Sequence, residues 1–153
     1  MTFSEDGSSL KRFRKNPLPF EKTYLAPQGN AEVFVAGIIA ALHPVHGAEL
    51  TVDHVVFEPQ HLKAFAACGS IHPGTFIRCT LAVIGEMEAQ SLLQAALTDS
   101  IDFLFMPTPR HLVIYADHDE YITFFGAKKS HLSQVKEFMQ ASGIPEIENY
   151  RRW

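Results

Sequence analysis

The most constraining feature of this sequence is the segment of residues 101–127, which contains three apolar runs in close succession. The runs are "IDFLFM", "HLVIYA" and "YITFFGA", and they are separated first by "PTPR" and then by the polar stretch "DHDE". Each run is too short for a typical helix and is rich in β-branched and aromatic residues. Because short connections join antiparallel strands, the segment predicts a meander of three such strands.

The stretch "DHDE" fits the turn between the second and third of these strands. With a two-residue turn at residues 118–119, Asp117 is expected to pair with Glu120, and Ala116 with Tyr121. Both faces of this hairpin are apolar near its middle, so we expect it to lie centrally in the sheet or to be covered on both sides. Only its tip should contact water.

Two further strands are predicted earlier in the chain, at residues 49–57 and 75–85. In the first, strict alternation places His54 on the face of Leu50 and Val52, and Asp53 on the opposite face. Four helices are predicted from apolar periodicity and from capping residues such as Asn30. They cover residues 30–43, 58–69, 86–100 and 130–142.

These elements predict an α+β fold, with a mostly antiparallel sheet of about five strands packed against about four helices in two layers. The length of 153 residues, with 46% hydrophobic and 20% charged residues, suits one domain. We expect a single globular α+β domain over residues 17–153. A flexible basic segment over residues 1–16 is expected to precede it.

The charge distribution argues against nucleic acid and membrane partners. The formal net charge is −4, and because residues 1–16 contain four basic and two acidic residues, the rest of the chain has a net charge of −6. An acidic body repels phosphate backbones and anionic lipid. No apolar run approaches the length of a membrane span, and the chain shows no secretory signal pattern.

The two cysteines provide no disulfide framework, so we expect a reducing, cytoplasmic location. Cys79 alternates with apolar residues and is expected in the core. Cys68 ends a predicted helix, where the helix dipole disfavours a thiolate, so it is a poor nucleophile.

Histidine is frequent, with eight in the chain, and the candidate metal ligands are His43, His46, Asp53 and His54. Pro44 prevents an ordinary helical pair of the first two, and the spacing matches no zinc motif. Structural roles near a helix end and in a strand also suit these residues. We therefore expect no bound metal or cofactor, with these four residues as the alternative.

Arg78 lies in an otherwise apolar predicted strand. A buried guanidinium requires an acidic partner, whereas an exposed one could bind an anionic ligand on an open face of the sheet. An anion-binding pocket around Arg78 is therefore a further alternative.

The hairpin tip is the preferred functional surface. Neighbouring residues of a strand point to opposite faces, so four of them cannot share one metal ion. Acidic groups flanked by aromatic rings suit a basic protein partner. The predicted binding residues are Tyr115, Asp117, His118, Asp119, Glu120 and Tyr121.

We therefore expect a small non-enzymatic protein that binds a basic protein partner through its acidic surface. By analogy of size and charge only, immunity proteins that neutralise a toxin are of this kind. The alternative is an enzyme, either a metal-assisted hydrolase or one that binds a small ligand, using the histidine and aspartate residues.

Overall fold

Antiparallel strands form a single sheet in the computed structural model, which describes residues 2–4, 7–27, 29–65 and 79–152. The strands are β1 Thr2–Ser4, β2 Phe20–Leu25, β3 Gly47–His54, β4 Thr80–Ile84, β5 Asp102–Thr108, β6 Leu112–Ala116 and β7 Tyr121–Gly126. Their order in the sheet is β1-β4-β3-β5-β6-β7-β2. The helices are α1 Ser8–Lys15, α2 Ala31–Leu42, α3 Glu86–Thr98 and α4 Lys129–Ala141, with a 3-10 turn at Leu62–Ala64.

The predicted α+β class and antiparallel sheet are confirmed. The sheet is larger than expected, because Phe20–Leu25, which follows Pro17 and Pro19 and was not predicted as a strand, forms edge strand β2, and the N-terminus adds the three-residue β1. Within the described residues, every helix is too short or too polar to span a lipid bilayer.

One face of the sheet packs against α2, α3 and α4 and contains the main core. Phe103, Phe105, Ile114 and Phe124 are fully buried on this face. Since alternate residues of a strand point to opposite faces, their neighbours Leu104, Val113 and Phe125 lie on the other side, where α1 covers them.

Helix α1 lies within the segment that was expected to be flexible. It packs on the second face of the sheet through Leu10, which is fully buried, and Phe13, whose ring meets that of Phe125 edge to face at 5.0 Å. Burial of a leucine side chain stabilises a fold by about 1.5–3 kcal/mol. The mobility of residues 1–16 in solution stays a prediction.

Two helix ends, the start of α2 and the end of α4, follow the expected rules. Asn30 caps α2 by accepting a hydrogen bond from Val33 N at 3.4 Å. Helix α4 ends in a Schellman motif, in which Ile144 N donates to Met139 O at 2.9 Å and Gly143 adopts a φ of 69°.

The predicted register of the β6–β7 hairpin is wrong by one residue. Ala116 pairs with Ile122 rather than with Tyr121. The reason is a three-residue loop, in which Glu120 adopts a left-handed φ of 70° and Asp117 N bonds to Tyr121 O at 3.1 Å. The shift exchanges the two faces of β7, so Phe124 enters the main core and Phe125 faces α1.

The predicted side of His54 is also wrong. The register of β3 against β5 shifts between Val52, which pairs with Phe103, and His54, which pairs with Asp102. One extra residue, Asp53, is thus inserted as a β-bulge. Strict alternation would point His54 into the main core, whereas the bulge turns it to the face of Asp102.

Parts of two predicted elements lie outside the described residues. The predicted helix at residues 58–69 appears as the 3-10 turn Leu62–Ala64, and its end, with Cys68, is not described. The predicted strand at residues 75–85 appears as β4, and Arg78 precedes the part that the structure describes.

The C-terminal tail returns to the sheet along β2. Tyr24 and Glu146 form an antiparallel bridge, and Ile147 N donates to Thr23 O at 2.8 Å. The tail therefore covers part of the outer edge of β2, which would otherwise expose backbone groups that can pair with another strand.

Candidate functional site

Three potential metal ligands meet at one end of the sheet. His54 ends β3, Asp102 begins β5, and His118 follows β6. These strands are neighbours and run antiparallel, so the end of β3, the start of β5 and the end of β6 lie at the same end of the sheet. The bulge in β3 turns the His54 side chain to the same face of the sheet as Asp102.

The contacts centre on the Asp102 carboxylate. His118 approaches Oδ1 twice, through its backbone N–H at 2.8 Å and through Nδ1 at 2.7 Å. His54 Nδ1 lies 3.7 Å from Oδ2. One ligand atom from each of the three residues lies within 4.8 Å of the other two.

The site is partly open. The side chains of His54 and His118 are 35% and 32% exposed, whereas that of Asp102 is 13% exposed. The hydrogen bond to Asp102 raises the pKa of His118 above its usual range, with a smaller opposing effect of burial. Asp119 lies beside the open side of His118, with Oδ1 3.8 Å from Nε2.

A second carboxylate, Asp53, is held next to this site. Tyr115 Oη donates a hydrogen bond to Asp53 Oδ2 at 2.6 Å, and Arg14 of α1 pairs with the same oxygen. Burial, followed by the hydrogen bond and the charge of Asp53, raises the pKa of Tyr115 above its usual range. The carboxylate of the bulged residue Asp53 is therefore engaged in structural contacts with Tyr115 and Arg14.

The acidic tip is partly neutralised by the tail. Arg152 Nη1 donates to Asp117 Oδ2 at 2.6 Å, and its guanidinium lies over the Tyr115 ring at 4.5 Å from the ring centroid. Tyr121 stacks on Tyr150 of the tail with 5.1 Å between centroids. Of the predicted partner-binding residues, Asp119 is the most exposed, at 72% of its side chain.

The structure does not bring the four predicted metal ligands together. His46 precedes β3 and His54 ends it, so the two are separated by roughly 25 Å of strand. His43 lies near His46 and contacts Glu86, with Nδ1 3.0 Å from Oε2. Only His54 belongs to the cluster, while Asp53 is bound by Tyr115.

Asp102 was missed because nothing in the local sequence marks it. It follows "TDSI" at the start of a strand, and its partners are distant in the chain.

A comparison with known protein families, with curated proteins and with solved structures finds no match for this chain. The geometry is therefore the basis for the function proposed below.

Proposed function

We propose that this protein binds one divalent transition-metal ion through His54, Asp102 and His118. The observation that supports this most directly is the convergence of two imidazoles and one carboxylate within 4.8 Å, from three neighbouring strands. Imidazole and carboxylate together suit zinc, iron and related ions.

The separations are close to those that a metal site requires. Ligand atoms about 2.1 Å from an ion are roughly 3 Å to 3.5 Å from one another. The two distances to Asp102, 2.7 Å from His118 and 3.7 Å from His54, lie on either side of this range. The remaining separation, between the ligand atoms of His54 and His118, is at most 4.8 Å, so these side chains would move together to hold one ion.

Partial exposure of both histidines leaves coordination positions for water or a small ligand. Two histidines and one carboxylate with open positions form a ligand set of catalytic rather than structural metal sites. A bound metal ion there would lower the pKa of its water and so supply a nucleophile for hydrolysis. The function we infer is thus metal-dependent, with hydrolysis as the reaction class.

A purely structural role for the cluster makes a different prediction. In that case Asp102 stabilises the turn by accepting from His118, and its 3.7 Å contact with His54 contributes little. His54→Ala therefore distinguishes metal binding from a structural role. It removes a metal ligand and leaves the hydrogen bonds between His118 and Asp102 in place.

The test is a calorimetric titration of protein purified without an affinity tag, using Zn²⁺ and Co²⁺. We expect one equivalent to bind, with affinity lowered about tenfold or more in His54→Ala. The matched control is His46→Ala, which removes an exposed histidine at the other end of β3. The proposal fails if neither ion binds or if His54→Ala binds as the wild type does.

The reaction class is tested with the zinc-loaded protein and p-nitrophenyl acetate. We expect hydrolysis faster than with free Zn²⁺ at the same concentration, and its loss in His54→Ala. Metal binding without any such rate increase would support the site and reject hydrolysis of activated esters.

A further inference from the structure

A groove of about 800 Å³ lies between α4, the start of β2 and the tail. Its walls are one face of α4 over residues 129–136, residues 17–22, and residues 149–151. None of the proposed metal ligands lines it. We call it the basic groove because of the side chains at its rim.

The rim carries positive charges that lack acidic partners. Lys129, Lys136 and Arg151 are exposed, and in the described part of the chain no carboxylate lies within 4.0 Å of any of their cationic groups. Lys22, in contrast, pairs with Glu146 at 2.6 Å. Glu21 also lines the groove, so its charged lining consists of four basic residues and one acidic residue, in a protein whose net charge is −4.

Apolar and aromatic side chains form part of the lining of the groove. Leu132 lies between Lys129 and Lys136 on the same face of α4, since residues three and four positions apart are neighbours on a helix. The two lysines are two turns apart, about 10 Å along the axis. Phe20 provides an aromatic surface, with Lys129 Nζ 5.7 Å from its ring centroid, and Tyr150 lines the third wall.

We propose that the basic groove binds a small organic anion. Its volume lies within the range of about 300–1,000 Å³ typical of small-molecule sites. Cations at the rim match a carboxylate, phosphate or sulfonate, and Phe20, Leu132 and Tyr150 match an aromatic or aliphatic body. A cavity of this volume with aromatic surface beside the cations favours such a ligand over an extended acidic peptide.

The test uses 8-anilinonaphthalene-1-sulfonate, which combines an aromatic body with one anionic group, and follows binding by fluorescence and calorimetry at low salt. N-phenyl-1-naphthylamine has the same body without the sulfonate. We expect one site for the anionic probe, with affinity about tenfold above that of the neutral probe.

The variant Lys129→Gln/Lys136→Gln should lower the affinity for the anionic probe about tenfold and leave the neutral probe unchanged. The matched control, Lys15→Gln/Lys128→Gln, removes two exposed lysines that do not line the groove. Equal binding of both probes, or an unchanged affinity in the Lys129/Lys136 variant, overturns the proposal. Binding of a glutamate hexapeptide without binding of the sulfonate would also overturn it, in favour of an acidic peptide.

Discussion

Arg152 donates a hydrogen bond to Asp117 Oδ2 at 2.6 Å and so joins the C-terminal tail to the β6–β7 turn. Both side chains are largely buried, at 6% and 13% exposure. A shielded ion pair of this kind differs from the exposed pairs of the surface, because removal of one partner leaves the other charge poorly solvated.

Arg152→Ala should therefore destabilise the protein by about 3 kcal/mol. The loss includes the ion pair with Asp117 and the contact of the guanidinium with Tyr115. Urea denaturation measures the effect, and Arg151→Ala, an exposed neighbour, should change stability by less than about 0.5 kcal/mol. Equal effects of the two substitutions would contradict a stabilising role for the pair.

Two buried tyrosines should respond in opposite ways to loss of their hydroxyl group. Tyr115 Oη donates to Asp53, so Tyr115→Phe removes a donor from a buried carboxylate and should cost about 1–3 kcal/mol. Tyr24 Oη is buried and has no hydrogen-bond partner among the described residues, so Tyr24→Phe should be neutral or stabilising. Thermal and urea denaturation of both variants test this; a similar loss in both would refute it.

The same tyrosines predict a loss of stability at alkaline pH. Burial, followed by the charge of Glu146, raises the pKa of Tyr24 to about 12, and the pKa of Tyr115 is also raised. Above pH 10 the unfolded chain ionises these phenols while the folded protein keeps them protonated, so stability falls as pH rises, by about 1.4 kcal/mol per pH unit for each tyrosine.

Denaturation curves between pH 8 and pH 11 measure this dependence, and Tyr24→Phe should reduce the slope. Below about pH 9 the contribution of both residues should be constant, because the phenols are protonated in both states. A slope that is unchanged in Tyr24→Phe would show that this residue does not titrate as the structure indicates.

The basic protein partner predicted from the sequence stays a prediction, and the structure sharpens its test. Reversal of Asp117 would break the pair with Arg152, so the informative variant is Asp119→Lys/Glu120→Lys. If the tip binds a basic partner, association should weaken about tenfold, and more at low salt. The measurement is quantitative capture of the partner from native lysate. The matched control is Glu137→Lys/Glu148→Lys, which reverses two exposed acids elsewhere. Equal capture by both variants would exclude the tip as the binding surface.

The sheet and most helices were predictable because their signals are local. Short apolar runs separated by proline or polar turns specify the meander of β5, β6 and β7, whatever elements the strands pack against. Helix α2 carries its own cap in Asn30, and α4 ends with Gly143 and Ile144 in a defined motif. Helix α1 was missed because its polar sequence has few apolar positions, of which Leu10 alone is fully buried.

The candidate site was less predictable because it depends on contacts between distant residues. His54, Asp102 and His118 come together through the order of three strands, which alternation cannot specify. The hairpin register depends on the positive φ of Glu120, a conformation that glycine usually adopts. A register that assumes a two-residue turn therefore places the side chains of β7 on the wrong faces of the sheet.

The bulge at Asp53 makes the fold and the cluster separable. A related chain of the same length that paired β3 with β5 without the bulge would keep the same neighbours in the sheet and the same apolar face. It would nevertheless turn the position of His54 into the main core, where selection would favour an apolar side chain. Regular pairing of this strand, rather than loss of a histidine, would then distinguish relatives that keep only the architecture from relatives that keep the cluster.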